Sequence, residues 1–242
     1  MIKELIYKAV EAPTFVIHGV RKIVQGIYYE CDELPSDVDI IKTLGYGKQK
    51  ITRLMNVYYN EAEVATARAK LQERKGELHS SVSVLMRNMT KDSRSQGWCI
   101  QNVVVTTDKF GNSTADVFYR STELIQKFGA DLTLLHRVFR ELEVDPYKIR
   151  MYFANAYISA VFFPLLFQHL DGVEFFRHIA KHDDRFHFLA VKAVSRYLDP
   201  NCRYTYRSQL KQWKFAQETL DRKPIDDYLM SVIPEYHEEH LP

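Results

Sequence analysis

Two β-prone runs joined by a short turn constrain this chain more than any other feature. Val103-Val104-Val105 and Ala115 to Tyr119 are rich in branched and aromatic residues, and Asp108-Lys109-Phe110-Gly111-Asn112 lies between them. Such runs favour the pleated, half-buried environment of a strand, and the Gly-Asn pair suits a tight reversal, so the segment predicts a hairpin within a sheet. Cys99 stands at the head of the outgoing strand, in Gly97-Trp98-Cys99-Ile100-Gln101, and Arg120-Ser121 ends the return strand. This pairing predicts a thiol and a guanidinium on neighbouring strands. A cysteine beside fixed positive charge ionises more easily, and its thiolate attacks electron-poor carbon.

The rest of the chain supplies elements to cover that sheet. Thr14 before Phe15, Ile17, Val20, Ile23 and Val24 predicts a capped helix stopped by Gly26. Val64 to Gly76 is rich in helix formers and ends on a glycine, and the alternating Ser81 to Met86 predicts a strand running to Asn88. Ile51 to Tyr59 reads as strand-like. Glu123 to Phe128 and Leu132 to Leu142 read as helical, with Asp131 able to cap the second. Ile149 to Phe163 reads as another strand or a buried segment, and Phe175 to Tyr197 and Gln209 to Leu220 as helices. The expected class is α/β (α+β), one mixed sheet covered by helices, in a single domain spanning residues 1–242.

Hydrophobic residues make up 46% of the chain and aromatic residues 13%, which argues against disorder and provides for a core of more than one layer. Lys plus Arg number 33 against 31 Asp plus Glu, so any anion site has to be local. Cys31, Cys99 and Cys202 are far apart and lack metal-ligand spacing, which favours a reducing, cytoplasmic setting. The longest apolar stretch, Ala154 to Leu170, is broken by Asn155, Ser159, Pro164 and Gln168, so no membrane span is expected.

From about Val64 to Ser159, the order of helix, strand, Cys99-Ile100-Gln101, hairpin and Arg120-Ser121-Thr122-Glu123 resembles the thymidylate synthase and deoxycytidylate hydroxymethylase superfamily. The layout is closer to its short archaeal and phage members. The resemblance implies a homodimer through one sheet face, with Cys99 as the nucleophile that attacks C6 of a pyrimidine nucleotide. It implies 5,10-methylenetetrahydrofolate as the donor of a one-carbon unit to C5. Arg120 and Ser121 would hold a phosphate. Asp131 falls where the family has Asn for uracil-type bases and Asp for cytosine.

Departures from the family pattern are as informative. The paired phosphate-binding arginines fall on Ser80 and Ser81, and the ribose-binding His and Tyr fall on Tyr157 and Ser159. The family's catalytic glutamate motif is absent before Val64. Arg87, Arg94, Lys48 and Lys50 are the candidate replacements for the phosphate clamp, and Gly45-Tyr46-Gly47-Lys48 offers a weak anion-cradle signal. These losses leave open a divergent member that acts as a binding or scaffold protein, or one with an unusual pyrimidine or donor.

Two further clusters remain. His178 and His182 are one helical turn apart, with His169, His187, Asp183 and Asp184 nearby, which is compatible with metal ligation. The surrounding phenylalanines favour an amphipathic helix with surface histidines instead, and no metal is expected. Arg203-Tyr204-Thr205-Tyr206-Arg207 with Lys211, Trp213 and Lys214 mixes bases and aromatics as single-strand binders do, a nucleic-acid reading that ranks below the small-molecule one.

Overall fold

The computed structural model describes residues 1–36, 59–86, 99–125, 127–167, 169–198 and 221–232. Six strands form one mixed sheet: β1 (Val16–His18), β2 (Arg21–Cys31), β3 (His79–Leu85), β4 (Ile100–Asp108), β5 (Ser113–Glu123) and β6 (Pro146–Ser159). The spatial order is β1-β2-β6-β5-β4-β3, and only β5 and β6 run parallel. Helix α1 (Ile2–Glu11) precedes the sheet, α2 (Glu61–Glu73) precedes β3, and α3 (Phe128–Leu142) makes the β5-to-β6 crossover that a parallel pair requires. A 3₁₀ turn (Ala160–Phe162) and the short α4 (Phe163–Leu166) follow β6, then come α5 (Gly172–His182), α6 (Asp184–Leu198) and α7 (Lys223–Val232). The mixed sheet with helices expected from the sequence is what the chain forms. No helix among the described residues is long and apolar enough to cross a membrane.

The β4–β5 hairpin closes as its sequence demands. Asp108 Oδ1 accepts from the backbone N–H groups of Phe110 and Asn112 at 2.8 and 2.9 Å, and Gly111 takes φ +91°. Strand β3 begins and ends slightly earlier than its alternation suggests, and Asn88 lies outside the described residues.

The helix expected from Thr14 to Gly26 is instead two antiparallel strands, β1 and β2. Residues beyond the apparent helical period decide this. Ile27, Tyr28 and Tyr29 continue a β-prone run, and β6 supplies ten paired positions for it. The first helix lies upstream, where Ile2, Leu5, Ile6, Ala9 and Val10 are buried along one stripe. Glu123 to Phe128 is likewise not helical. Strand β5 runs through Glu123, and α3 starts at Phe128 with Lys127 at its N-cap. Asp131 therefore sits inside the first turn rather than capping it. The expected helix Phe175 to Tyr197 breaks at Asp183, whose carboxylate accepts from Phe186 N at 2.9 Å and starts α6.

One irregularity runs across four strands. On β2, β4, β5 and β6 the inward alternation slips by one residue, so the buried pairs are Val24/Ile27, Ile100/Val103, Tyr119/Thr122 and Phe153/Ala156. These residues are neighbours across the sheet, because Tyr119 pairs with Ile100 and Phe153, and Thr122 with Ala156. Gly26, at φ +66°, absorbs the slip on β2, and a register shift between Ile100 and Asn102 absorbs it on β4. Polar side chains line the outward side of the slip. Gln25 donates to Asn155 at 3.2 Å, and Asn155 donates to the Arg120 carbonyl at 3.3 Å.

The main core lies between the sheet and the helices. Phe163 packs edge-on against Phe175, Phe176 and Phe186, all fully buried. On the other face Phe118 stacks on Tyr152 at 5.0 Å and Tyr28 leans on Tyr152 at 5.2 Å. Tyr28, Phe118 and Leu85 are exposed there.

Candidate functional site

The slip in alternation assembles the site. Strict alternation along β5 would send Tyr119 and Thr122 to opposite faces. The extra step turns both inward, and the backbone N–H of Arg120 donates to the Cys99 carbonyl at 2.9 Å, locking the two strand ends together. Thr122 Oγ1 then reaches across to α3 and donates to Asp131 Oδ2 at 2.9 Å.

Asp131 is 6% exposed, and burial drives its pKa up to about 7 against the opposing pull of the Thr122 hydroxyl and the Lys127 ammonium. Cys99 is buried as well. Burial and the neighbouring Asp131 charge push its thiol up to about 12, and Lys127, the Thr122 hydroxyl and Arg120 offset this only in part. The sequence argument that the guanidinium would favour ionisation thus has the right sign for Arg120, but desolvation wins. Arg120 itself is exposed and forms no ion pair among the described residues, so it escapes the cost of an unpaired buried charge.

Two buried hydroxyls, one at the site and one farther along β6, have no hydrogen-bond partner among the described residues. Tyr119 Oη is one, on a ring stacked on Phe153 at 4.4 Å, and its pKa is raised by burial and by the charges of Asp131 and Cys99. Ser159 Oγ is the other. The Ser159 N–H donates to Glu123 Oε1 at 3.3 Å, which ties the ends of β6 and β5. Tyr157 is half-buried, with its pKa raised by burial first and then by Glu123 and Cys99, and opposed by Lys127 and Arg21. Buried polar atoms without partners carry a desolvation penalty in the free protein, which a polar ligand would relieve.

Of the residues singled out from the sequence, Cys99, Asp131 and Tyr157 gather electrostatically. Ser159 joins Tyr157 through Glu123, and Ser121 is half-buried at the slip beside Asn155. Gln101 is exposed on β4, with its carbonyl accepting from Met86 N at 3.1 Å. Arg87, Arg94, Lys48, Lys50, Cys202 and the Arg203 to Lys214 segment lie outside the described residues. Ser80 is buried, and Ser81 hydrogen-bonds Thr106 at 3.2 Å, so the two serines in place of paired arginines belong to the sheet.

Sequence reasoning missed Thr122 and Lys127 as participants. Thr122 carries no motif of its own, and its role exists only because the alternation slips. Lys127 could have been found as the cation four residues before Asp131, once α3 was started one turn earlier. A separate pocket, lined by Ser80, Thr107, Asp108, Gly111 and Leu142 to Asp145, lies at the opposite end of β4 and β5. Strand rise puts it about 25–30 Å from Cys99.

No family model matches the chain, and no curated protein matches it. Among solved structures it is similar to the thermostable thymidylate synthase A from Bacillus subtilis, at 12% identity over 65% of this chain and 76% of that one, with a TM-score of 0.39. It is also similar to the thymidylate synthase from T4 phage, at 10% identity over 91% of this chain and 92% of that one, with a TM-score of 0.43.

Proposed function

We propose that this chain transfers a one-carbon unit, as a methyl or hydroxymethyl group, to C5 of a pyrimidine nucleotide or related pyrimidine through a covalent bond between Cys99 Sγ and C6. The observation that carries this reading is the buried Cys99–Asp131–Thr122 group with the partnerless Tyr119 hydroxyl beside it. A thiol at about 12 is ionised in only about one molecule in 10⁵ at neutral pH, so attack has to be coupled to loss of the thiol proton. Asp131, near neutrality and within the field of Cys99, is the base placed to take it.

Addition of sulfur to C6 moves the C5–C6 π pair onto C5, which becomes the carbon nucleophile. After the new C5–C bond forms, loss of the C5 proton and departure of the thiolate restore the ring; a methylene-level donor would give a hydroxymethyl group if water adds to the new carbon, and a methyl group only if the donor also supplies a hydride. A carboxyl group poised between its two forms can donate to N3 and accept from the exocyclic amine, so a cytosine-type base suits Asp131 better than a uracil-type base. Arg120, Lys127 and Arg21 are the described cations near the site for a phosphate.

The donor that the sequence resemblance implies is 5,10-methylenetetrahydrofolate, which would supply the methylene carbon. Fit can be judged for the base, to which Asp131 and Tyr119 offer polar atoms. The described residues offer no comparable set for a pterin, so no step is derived through the folate. The outward sheet face, with Tyr28, Phe118 and Leu85 exposed around the Asp116–Arg150 pair at 2.7 Å, is proposed to pack against a second copy. Light scattering should then report a dimer that Phe118→Arg converts to monomer.

The high thiol pKa favours a second reading, in which the site binds a pyrimidine without bonding to it. Intact-protein mass spectrometry separates the two. After incubation with 5-fluoro-dCMP or 5-fluoro-dUMP and methylenetetrahydrofolate, an adduct present in the native chain and missing in Cys99→Ala supports transfer. Saturable nucleotide binding with no adduct supports the binding reading.

A further inference from the structure

Three side chains at the far edge of the helical layer converge with no role in the chemistry above. Glu11 is the last residue of α1, and His178 and His182 lie one turn apart at the end of α5. One ligand atom from each falls within 4.8 Å of the other two. The histidine rings are 4.6 Å apart between centroids, and His178 Nε2 lies 3.2 Å from Glu11 Oε1. That nitrogen is nonetheless a buried atom with no hydrogen-bond partner among the described residues, because the close approach lacks hydrogen-bond geometry. Two ligand atoms close together but not bonded to each other are suited to a shared third atom.

We propose that Glu11, His178 and His182 form a binding site for a divalent transition-metal ion, with Zn²⁺ as the ion of choice. Two imidazole nitrogens and one carboxylate oxygen are borderline donors that suit Zn²⁺ and not Mg²⁺ or Ca²⁺. Tetrahedral coordination at the usual bond lengths sets ligand atoms ~3.3 Å apart. The Glu11–His178 separation already meets that spacing, and a small rotamer adjustment would bring in His182.

The surroundings favour a cation. Both helices present their C-terminal ends here, where the helix dipoles make the potential negative, although the Lys22 ammonium already takes the Val10 carbonyl at the end of α1. Two of the other residues suggested by the sequence are engaged elsewhere, since Asp183 pairs with Lys22 and His187 contacts the Tyr228 hydroxyl at 2.9 Å. Lys181 is the nearby positive charge that opposes binding. The ion would clamp the end of α1 to α5, with its fourth position open to water.

The test uses the full chain freed of metal with a chelator. Equilibrium dialysis against Zn²⁺ with elemental analysis should find one ion per chain, and thermal unfolding should shift upward with Zn²⁺ but not with Mg²⁺. Glu11→Gln and His182→Ala alter exposed residues at helix ends and should keep the native circular dichroism while losing both effects. Failure of the native chain to retain Zn²⁺, or undiminished retention by His182→Ala, overturns the site. Loading with Co²⁺ gives an independent reading: visible ligand-field bands markedly stronger than those of aqueous Co²⁺ support it, and an intense thiolate charge-transfer band, which would mean cysteine ligation, overturns it.

Discussion

Lys22 and Asp131 are both ionisable, both almost fully buried, and treated in opposite ways. Lys22, 1% exposed, donates to the Val10 carbonyl at 2.6 Å and lies 3.2 Å from Asp183 Oδ2. It thereby satisfies an end carbonyl of α1 and joins β2 to the α5–α6 junction, where Thr14 also donates to Asp183. Asp131 has the Thr122 hydroxyl, but no cation in contact, and its pKa rises to about 7. Burial lowers the Lys22 pKa as it raises that of Asp131, but at Lys22 a carboxylate in contact opposes the shift, whereas at Asp131 the contact is a hydroxyl. A group kept poised in this way is a candidate for chemistry, whereas a compensated one holds the fold together.

The most severe way to break this contrast is to remove the partner of Lys22. Asp183→Ala strands a buried ammonium and removes the cap of α6, and it should destabilise the chain by about 3–5 kcal/mol in urea unfolding. A loss under about 1 kcal/mol would mean that Lys22 is not held as a charged pair.

Asp131→Asn tests the other half. With a folded pKa near 7 and an unfolded value of about 3.9, the folded chain retains a proton that the unfolded chain has released between those values. Stability from this group is therefore present below about pH 4 and lost as pH rises through 7, by up to about 4 kcal/mol. The asparagine variant should show no such decline, so it gains on the native chain between pH 5 and pH 8. Parallel pH curves would place the Asp131 pKa near its ordinary value. If the site binds a pyrimidine, the same change should shift preference from cytosine to uracil nucleotides.

A smaller effect sharpens the comparison. Thr122→Val removes the hydroxyl donor to Asp131 and should cost about 2 kcal/mol at pH 8, where the carboxylate is ionised, and about 1 kcal/mol at pH 5. Equal costs at both pH values would show that Asp131 does not titrate between them. The least disruptive change is Lys127→Met, expected to alter stability by no more than about 0.5 kcal/mol because the side chain is exposed. It should still slow iodoacetamide alkylation of Cys99, since the ammonium lowers the thiol pKa. Unchanged alkylation would remove Lys127 from the site.

Residues with local signals were legible in the sequence. The β4–β5 hairpin, the helical character of α2 and the buried strand β6 follow from composition and period. The stripe Ile2, Leu5, Ile6, Ala9, Val10 is equally legible, yet the weaker pattern after Thr14 also fits a helix. That second pattern was settled by pairing with β6, a partner more than a hundred residues away that no local window contains. Cys99 and Arg120 were rightly set on adjacent strand ends. The direction of the Cys99 pKa was not legible, since it depends on how much water the fold removes and on a carboxylate brought in by α3.

What the sequence determined by itself was the set of pieces: a hairpin with a thiol at one end, a helix carrying a carboxylate just beyond it, and enough apolar side chains to cover a sheet. Only the tertiary structure decided which side chains face one another. The slip of one residue across four strands turns Tyr119 and Thr122 to the same side, and the crossover through α3 delivers Asp131 to them. Both are consequences of long-range strand pairing, whose energy is shared among residues far apart in the chain, so no local stretch of sequence specifies them alone.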